Sequence, residues 1–132
     1  MLVPVTANRY LAAMKSPPPL QPGRVVVSGA PEGFDAKLLA ETVTRAGGPV
    51  IHVARDDTRV AALRAGLAFF APDLPVLSFP AWDCLPYDRI SPNAEIAAAR
   101  MATLAALAEG FGRPAVLLTT LNAATQRVPP RE

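Results

Sequence analysis

One cysteine, one histidine, one tryptophan and two lysines are spread over 132 residues. With Cys84 alone the chain has no internal disulfide, which fits a reducing compartment. His52 has no second ligand close in the sequence, so no metal centre is expected. The lysines, Lys15 and Lys37, matter because a phosphate-binding loop needs one at a fixed place. An excess of charge of one sign is also missing: 13 basic and 11 acidic residues leave +2. That balance does not predict a nucleic-acid surface. No apolar run approaches the roughly 20 residues that span a bilayer. The opening "MLVPVTANRYLAAMK" lacks the basic start and continuous apolar core of a secretory signal. The expectation is a cytoplasmic chain with no membrane partner.

Hydrophobic residues are 51% of the sequence and charged residues 18%, the composition of a folded globular domain. Proline is plentiful, and "SPPPLQPG" (16–23) breaks any regular element, because proline fixes φ and donates no hydrogen bond. It reads as a linker or surface-hugging strap after a short helix over 5–15 carrying Tyr10, Leu11 and Met14. Two regions follow: an N-terminal arm and Pro-rich linker, 1–23, and a globular subdomain, 24–132.

From Arg24 onward, short apolar runs alternate with helical patterns. "RVVVS" (24–28), "PVIHVA" (49–54), "PVLSFP" (75–80) and "PAVLLTT" (114–120) read as buried strands. Helices are expected over 35–46, closed by Gly47-Gly48, over 57–70 and over 93–109, with a helical turn in "LNAATQRVPP". The second should bury Val60, Leu63, Leu67 and Phe70. The third should bury Ile96, Ala97, Met101, Leu104 and Leu107, after a cap at Asn93 or Ser91. Continuous apolar strands separated by helices imply an α/β fold: a parallel sheet of about four or more strands with helices on both faces.

The strand–glycine–helix stretch "VVVSGAPEGFDAKLLAETV" (25–43) has the outline of a phosphate loop. A working loop, G-x-x-x-x-G-K-[ST], cradles phosphates with backbone N–H groups, reaches them with Lys and holds Mg²⁺ with a hydroxyl. Counting from Gly29, those places hold Phe34, Asp35 and Ala36; sliding the register to Gly33 does not improve the match. Asp35 reverses the sign toward a polyphosphate, and Ala36 supplies no metal ligand. Asp35 instead suits a helix N-cap. The loop is degenerate, and neither a nucleotide cofactor nor a catalytic residue is assigned. An atypical nucleotide-binding hydrolase and a weak DNA-binding module using scattered arginines are the alternatives.

The most unusual stretch is "FPAWDCLPYDRISP" (79–92), a proline-punctuated loop with the only tryptophan, beyond the C-terminal end of a strand, where open α/β sheets bind ligands. Arg100 falls within the apolar arc of the helix that follows and needs a partner, with Asp88 or Asp83 the candidates. Trp82, Asp83, Tyr87, Asp88 and Arg100 form the candidate structural or contact cluster.

These residues carry a resemblance. Trp82, Asp83, Leu85, Pro86, Tyr87, Asp88, Ser91, Pro92, Arg100 and Leu104 match a phrase of the N-terminal, UvrB-like region of the bacterial transcription-repair coupling factors (Mfd), and "VLLTTLNAATQRVPP" is similar to a later strand and helix of that family. The resemblance runs from about residue 24 to 130. It implies a RecA-like subdomain whose nucleotide loop is degenerate, without the tyrosine-rich DNA-gripping hairpin of UvrB-like relatives. It also implies a part in transcription-coupled nucleotide excision repair: scaffolding the recruitment of UvrA to stalled RNA polymerase, with the UvrA surface largely in a following subdomain. Motor domains elsewhere in such proteins translocate on DNA with ATP. As a piece of a longer protein the chain is also expected to expose surface, and its 1–22 arm to be able to pack on another copy.

Overall fold

A computed structural model of the chain describes residues 2–3, 24–27, 29–84 and 91–128. The helix expected over 5–15 lies outside them. Two short strands, β1 (Leu2–Val3) and β2 (Arg24–Val25), pair in parallel. The main body then alternates: α1 (Phe34–Ala46), β3 (Pro49–Ala54), α2 (Asp57–Phe70), β4 (Val76–Phe79), α3 (Ala94–Glu109), β5 (Ala115–Thr120) and α4 (Leu121–Thr125). Strands β3, β5 and β4 form one parallel sheet in that order, so the fold is α/β with crossovers between parallel strands.

The sheet is narrower than the sequence suggested. Among the described residues it has three strands, not four, because Arg24–Val25 pairs with Leu2–Val3 instead of joining it. Val26 and Val27, expected inside a buried strand, follow β2 outside any strand, and Val26 is exposed. The central place goes to β5, whose six residues are all buried. Its two polar members are satisfied: the Thr119 hydroxyl donates to the Phe79 carbonyl at 2.9 Å, and Thr120 Oγ1 accepts from the Ala123 N–H at 3.2 Å. Pro75 and Pro80 flank β4 and hold it to four residues, since neither offers a ladder N–H.

One face of the sheet is covered by α1 and α2, which bury Ala36, Leu39, Ala40, Val43, Leu63 and Leu67 against Ala54, Val116 and Leu118. The two helices approach closely where Gly66 meets Ala36; a Cβ placed on Gly66 would lie 2.5 Å from that of Ala36. On the other face Phe79, Leu117 and Ala123 pack with Leu77, Ala81 and Leu104. That cover stops short of β3, where Ile51 and Val53 remain 60% and 48% exposed. The expectation of a sheet covered on both faces therefore holds over β5 and β4 but fails at β3.

Helix ends follow the local chemistry. Asp56 caps α2, its Oδ1 accepting the Arg59 N–H at 2.8 Å. Asn93, not Ser91, caps α3 through the Glu95 N–H at 2.8 Å. Gly47 closes α1 at φ 65°, a left-handed conformation that glycine adopts without strain. Three of the residues expected in the core face outward. Phe70 ends α2 largely exposed, and Met101 and Leu107 leave the inward arc of α3, which runs through Ile96, Arg100, Thr103 and Leu104. Thr103 repays its burial by donating to the Ser78 carbonyl at 2.7 Å.

Candidate functional site

Two clusters sit beyond the C-terminal ends of the parallel strands. The first is the glycine loop and the start of α1. Gly29 and Gly33 both have positive φ (74° and 81°), and the turn is closed by the Phe34 N–H donating to the Pro31 carbonyl at 3.1 Å. The N-cap of α1 is Gly33, not Asp35 as the sequence suggested, and it makes no side-chain capping bond. The left-handed entry at Gly33 starts the helix a turn position earlier, so Asp35 falls inside the first turn with Phe34 before it and Ala36 after.

There Asp35 spends both oxygens on the protein. Oδ1 accepts the Ala36 N–H at 3.0 Å, and Oδ2 accepts from Arg59 Nη2 at 2.5 Å, an ion pair between α1 and α2. Glu32 approaches the other arm of the same guanidinium at 3.9 Å. Lys37 turns along its own helix to Glu41, 3.8 Å away, and does not reach the loop. An open cavity of about 460 Å³ adjoins the pair, lined by Asp35, His52, Val53, Ala54, Arg55 and Arg59.

His52 is half-buried and makes no hydrogen bond among the described residues. Burial pulls its pKa below the ordinary 6.5; Asp35 opposes this and Arg59 adds to it. The Asp56 carboxyl lies below its usual range because the Arg55 side chain bonds to it at 2.8 Å, with the Arg59 N–H assisting. Neither carboxylate is a free base, and among the described residues no cluster of three or more His, Cys, Asp and Glu side chains could hold a metal ion.

The second cluster surrounds Arg100. The residue is 2% exposed, and its guanidinium lies between two aromatic rings, 4.0 Å from the Phe79 centroid and 4.5 Å from that of Trp82. Nη1 donates to the Pro80 carbonyl at 2.7 Å and to Gln126 Oε1 at 3.3 Å. The same Gln126 oxygen accepts the Trp82 backbone N–H at 2.8 Å. One amide thus joins the loop, α3 and the segment leaving α4. Among the described residues no carboxylate comes within ion-pair distance of Arg100. Burial alone lowers its pKa.

The sequence had offered Asp83 or Asp88 as the partner of Arg100. Asp83 turns elsewhere: its carboxylate accepts the Asn93 N–H at 3.2 and 3.3 Å, at the entrance to α3. Tyr87 and Asp88 lie outside the described residues. Cys84 is a free, partly buried thiol.

Two curated proteins match the chain over most of its length. It is 35% identical over 95 residues to the transcription-repair-coupling factor of Escherichia coli (strain K12), covering 72% of this chain. It is 34% identical over 104 residues to that of Myxococcus xanthus, covering 73%. The chain belongs to the transcription-repair-coupling factor family. No protein-family model matches it. The match spans 8% of the length of each relative, so what those proteins do as wholes is not carried by these residues alone.

Sequence reading missed Phe79, Gln126 and Arg59 as members of the two clusters. Arg59 lies 24 residues from Asp35, and Gln126 lies 26 from Arg100. Spacing along the chain gives no sign of either pair. Only the need of a buried guanidinium for acceptors pointed toward the second. Among the described residues no helix is long and apolar enough to cross a membrane.

Proposed function

We propose that this chain is a non-catalytic, RecA-like subdomain of a transcription-repair-coupling factor, spanning residues 24–132 behind an arm and linker. It serves transcription-coupled nucleotide excision repair by supporting the recruitment of UvrA to stalled RNA polymerase. Family membership supports the process. The observation that carries the non-catalytic part is Asp35.

In a nucleotide-hydrolysing relative of this fold, the start of the first helix receives the phosphates, and a lysine draws them in. Here that place holds an aspartate tied to Arg59 and to the Ala36 N–H. A triphosphate entering the loop would meet a carboxylate of its own sign and would have to break the Asp35–Arg59 pair. No hydroxyl follows to hold magnesium, since Ala36 and Lys37 occupy the next two positions. The degenerate loop therefore works as a brace between α1 and α2. Within the longer protein, UvrA, RNA polymerase and DNA would be engaged by neighbouring regions that this subdomain supports.

Calorimetric titration of the chain with Mg²⁺-ATP tests the non-catalytic reading. The expected result is no saturable heat and no phosphate release. Saturable binding that weakens on substituting Gly33 or Arg59 would overturn it.

A further inference from the structure

The edge of a sheet presents unpaired N–H and C=O groups to any strand that reaches it, and proteins ordinarily blunt it with charge, proline, a bulge or shortness. The edge at β4 is blunted. That strand is four residues long, lies between Pro75 and Pro80, and its Ser78 hydroxyl accepts from the Arg64 guanidinium. The edge at β3 is not. Among the described residues no strand pairs with its outer side, and its register to β5 runs unbroken from Pro49 to Ala54 without a bulge. It holds no Lys, Arg, Asp or Glu, and its one proline, Pro49, stands at its start. Only one face of it is covered. Val50 and Ala54 pack with α1 and α2, so strand alternation turns Ile51 and Val53 to the other face, where they stand exposed.

This strand is complementary to a second copy of itself. Residues directly opposite in an antiparallel pair share a face of the sheet. A two-fold axis through His52, perpendicular to the sheet, sets Ile51 against Val53 of the second copy and Val50 against its Ala54. Other two-fold registers fit less well: centred on Ile51, the pairing sets Val53 against Pro49 and Ala54 against Gly48, and centred on Val53 it sets Ile51 against Arg55. Charge favours the same register. Arg55 follows the strand with its side chain 89% exposed, and among the described residues its guanidinium bonds only to Asp56, through Nε. In the paired copies Arg55 comes opposite Pro49, beside the Gly47–Gly48 turn that closes α1. The carbonyls of a helix's last turn carry its negative end. A Cβ on either glycine would meet nothing within 4 Å, so there is room for a guanidinium. The two Arg55 themselves stay about 20 Å apart, six residues of strand.

We propose that the outer edge of β3 is a self-association site: two copies of this chain pair antiparallel, β3 to β3, about a two-fold axis at His52. Their three-stranded sheets become one sheet of six, with Ile51 and Val53 of both copies side by side and each Arg55 at the end of the other copy's α1. The contact is a single strand pair, well below the area of a standard interface, so the dimer forms and dissociates with concentration.

Sedimentation equilibrium of the whole chain over a concentration series tests this. The mass is expected to rise reversibly from that of one chain toward that of two. Ile51→Lys removes both Ile51–Val53 pairs at once and should weaken association by about tenfold to thirtyfold. Ile51 is exposed, so this variant should keep its melting temperature in dilute solution. Cross-linking in a Cys84→Ser background tests the register separately. With His52→Cys the two thiols face each other across the axis at a Cβ separation of about 5 Å, and glutathione disulfide should join them. Phe69→Cys, highly exposed but on α2, should not be joined. A chain that is monomeric at every concentration overturns the proposal. So does association that Ile51→Lys leaves unchanged, or cross-linking at Phe69→Cys as fast as at His52→Cys.

Discussion

Replacing Arg100 with alanine probes the most heavily constrained side chain in the molecule. The substitution removes a charged donor from the Pro80 carbonyl at 2.7 Å and a weaker contact to Gln126 at 3.3 Å. A hydrogen bond from a charged donor contributes about 1.5–3 kcal/mol. It also removes the guanidinium from between Phe79 and Trp82, where each stacking contact contributes about 1 kcal/mol. Against this gross loss of about 5 kcal/mol stands relief of the desolvation that burial imposes on the charge, which for a buried ion is about 2 kcal/mol at the low end. The net loss is about 3 kcal/mol, or roughly 9 °C at about 3 °C per kcal/mol for a chain of this length.

Calorimetric melting gives the global number, and the emission of Trp82, the only tryptophan, reports the cluster itself. The emission should shift to longer wavelength as water reaches the indole. Arg100→Lys, which keeps the charge but not the planar stack, should lose about half as much stability. A melting shift of Arg100→Ala below about 2 °C, with Trp82 emission unchanged, would refute the cluster's role in holding the loop.

Other substitutions reach the rest of the account. Gly66→Ala should cost about 1–3 kcal/mol in denaturant unfolding, because its methyl would sit 2.5 Å from that of Ala36 and force α1 and α2 apart. His52 has its native pKa depressed below 6.5, so the unfolded chain binds the proton more readily. Stability is then full above pH 6.5 and is lost as pH falls through the lower native value; His52→Gln should flatten that slope in melts from pH 7 to pH 5. Gln126→Leu should free both the Trp82 N–H and one Arg100 contact, lowering stability by about 1–3 kcal/mol and producing the same Trp82 emission shift as the Arg100 variant.

The sequence carried the succession of elements further than the assembly. Strand Pro49–Ala54 falls where its apolar run lies, and α1 stops at the Gly47 that was read as its end. These are local signals: a β-branched run, and a glycine free to take positive φ. The errors come where local pattern is weak or where a distant partner decides. In alanine-rich α3 the apolar arc is poorly marked, and the inward direction is set by the two rings and two acceptors that receive Arg100, leaving Met101 outside. Asp35 looked like a cap because its type favours caps; Gly33 took that place through its left-handed φ, and Asp35 found Arg59 on another helix. The family phrase around Trp82 was legible as a pattern, yet its connection to Gln126 was not, since that contact exists only once β4, β5 and α4 are in place.

The central claim is that these residues support UvrA recruitment without themselves forming its binding surface. Calorimetric titration of UvrA tests it against two proteins: this chain alone, and the Escherichia coli factor with its matching segment replaced by this chain and shown to be folded. The account predicts no saturable heat with the chain alone and saturable binding by the hybrid, reduced when the hybrid carries Arg100→Ala. Equal binding by the chain alone would place the recruiting surface within these residues, and a folded hybrid that fails to bind would remove the supporting role; either result contradicts the account.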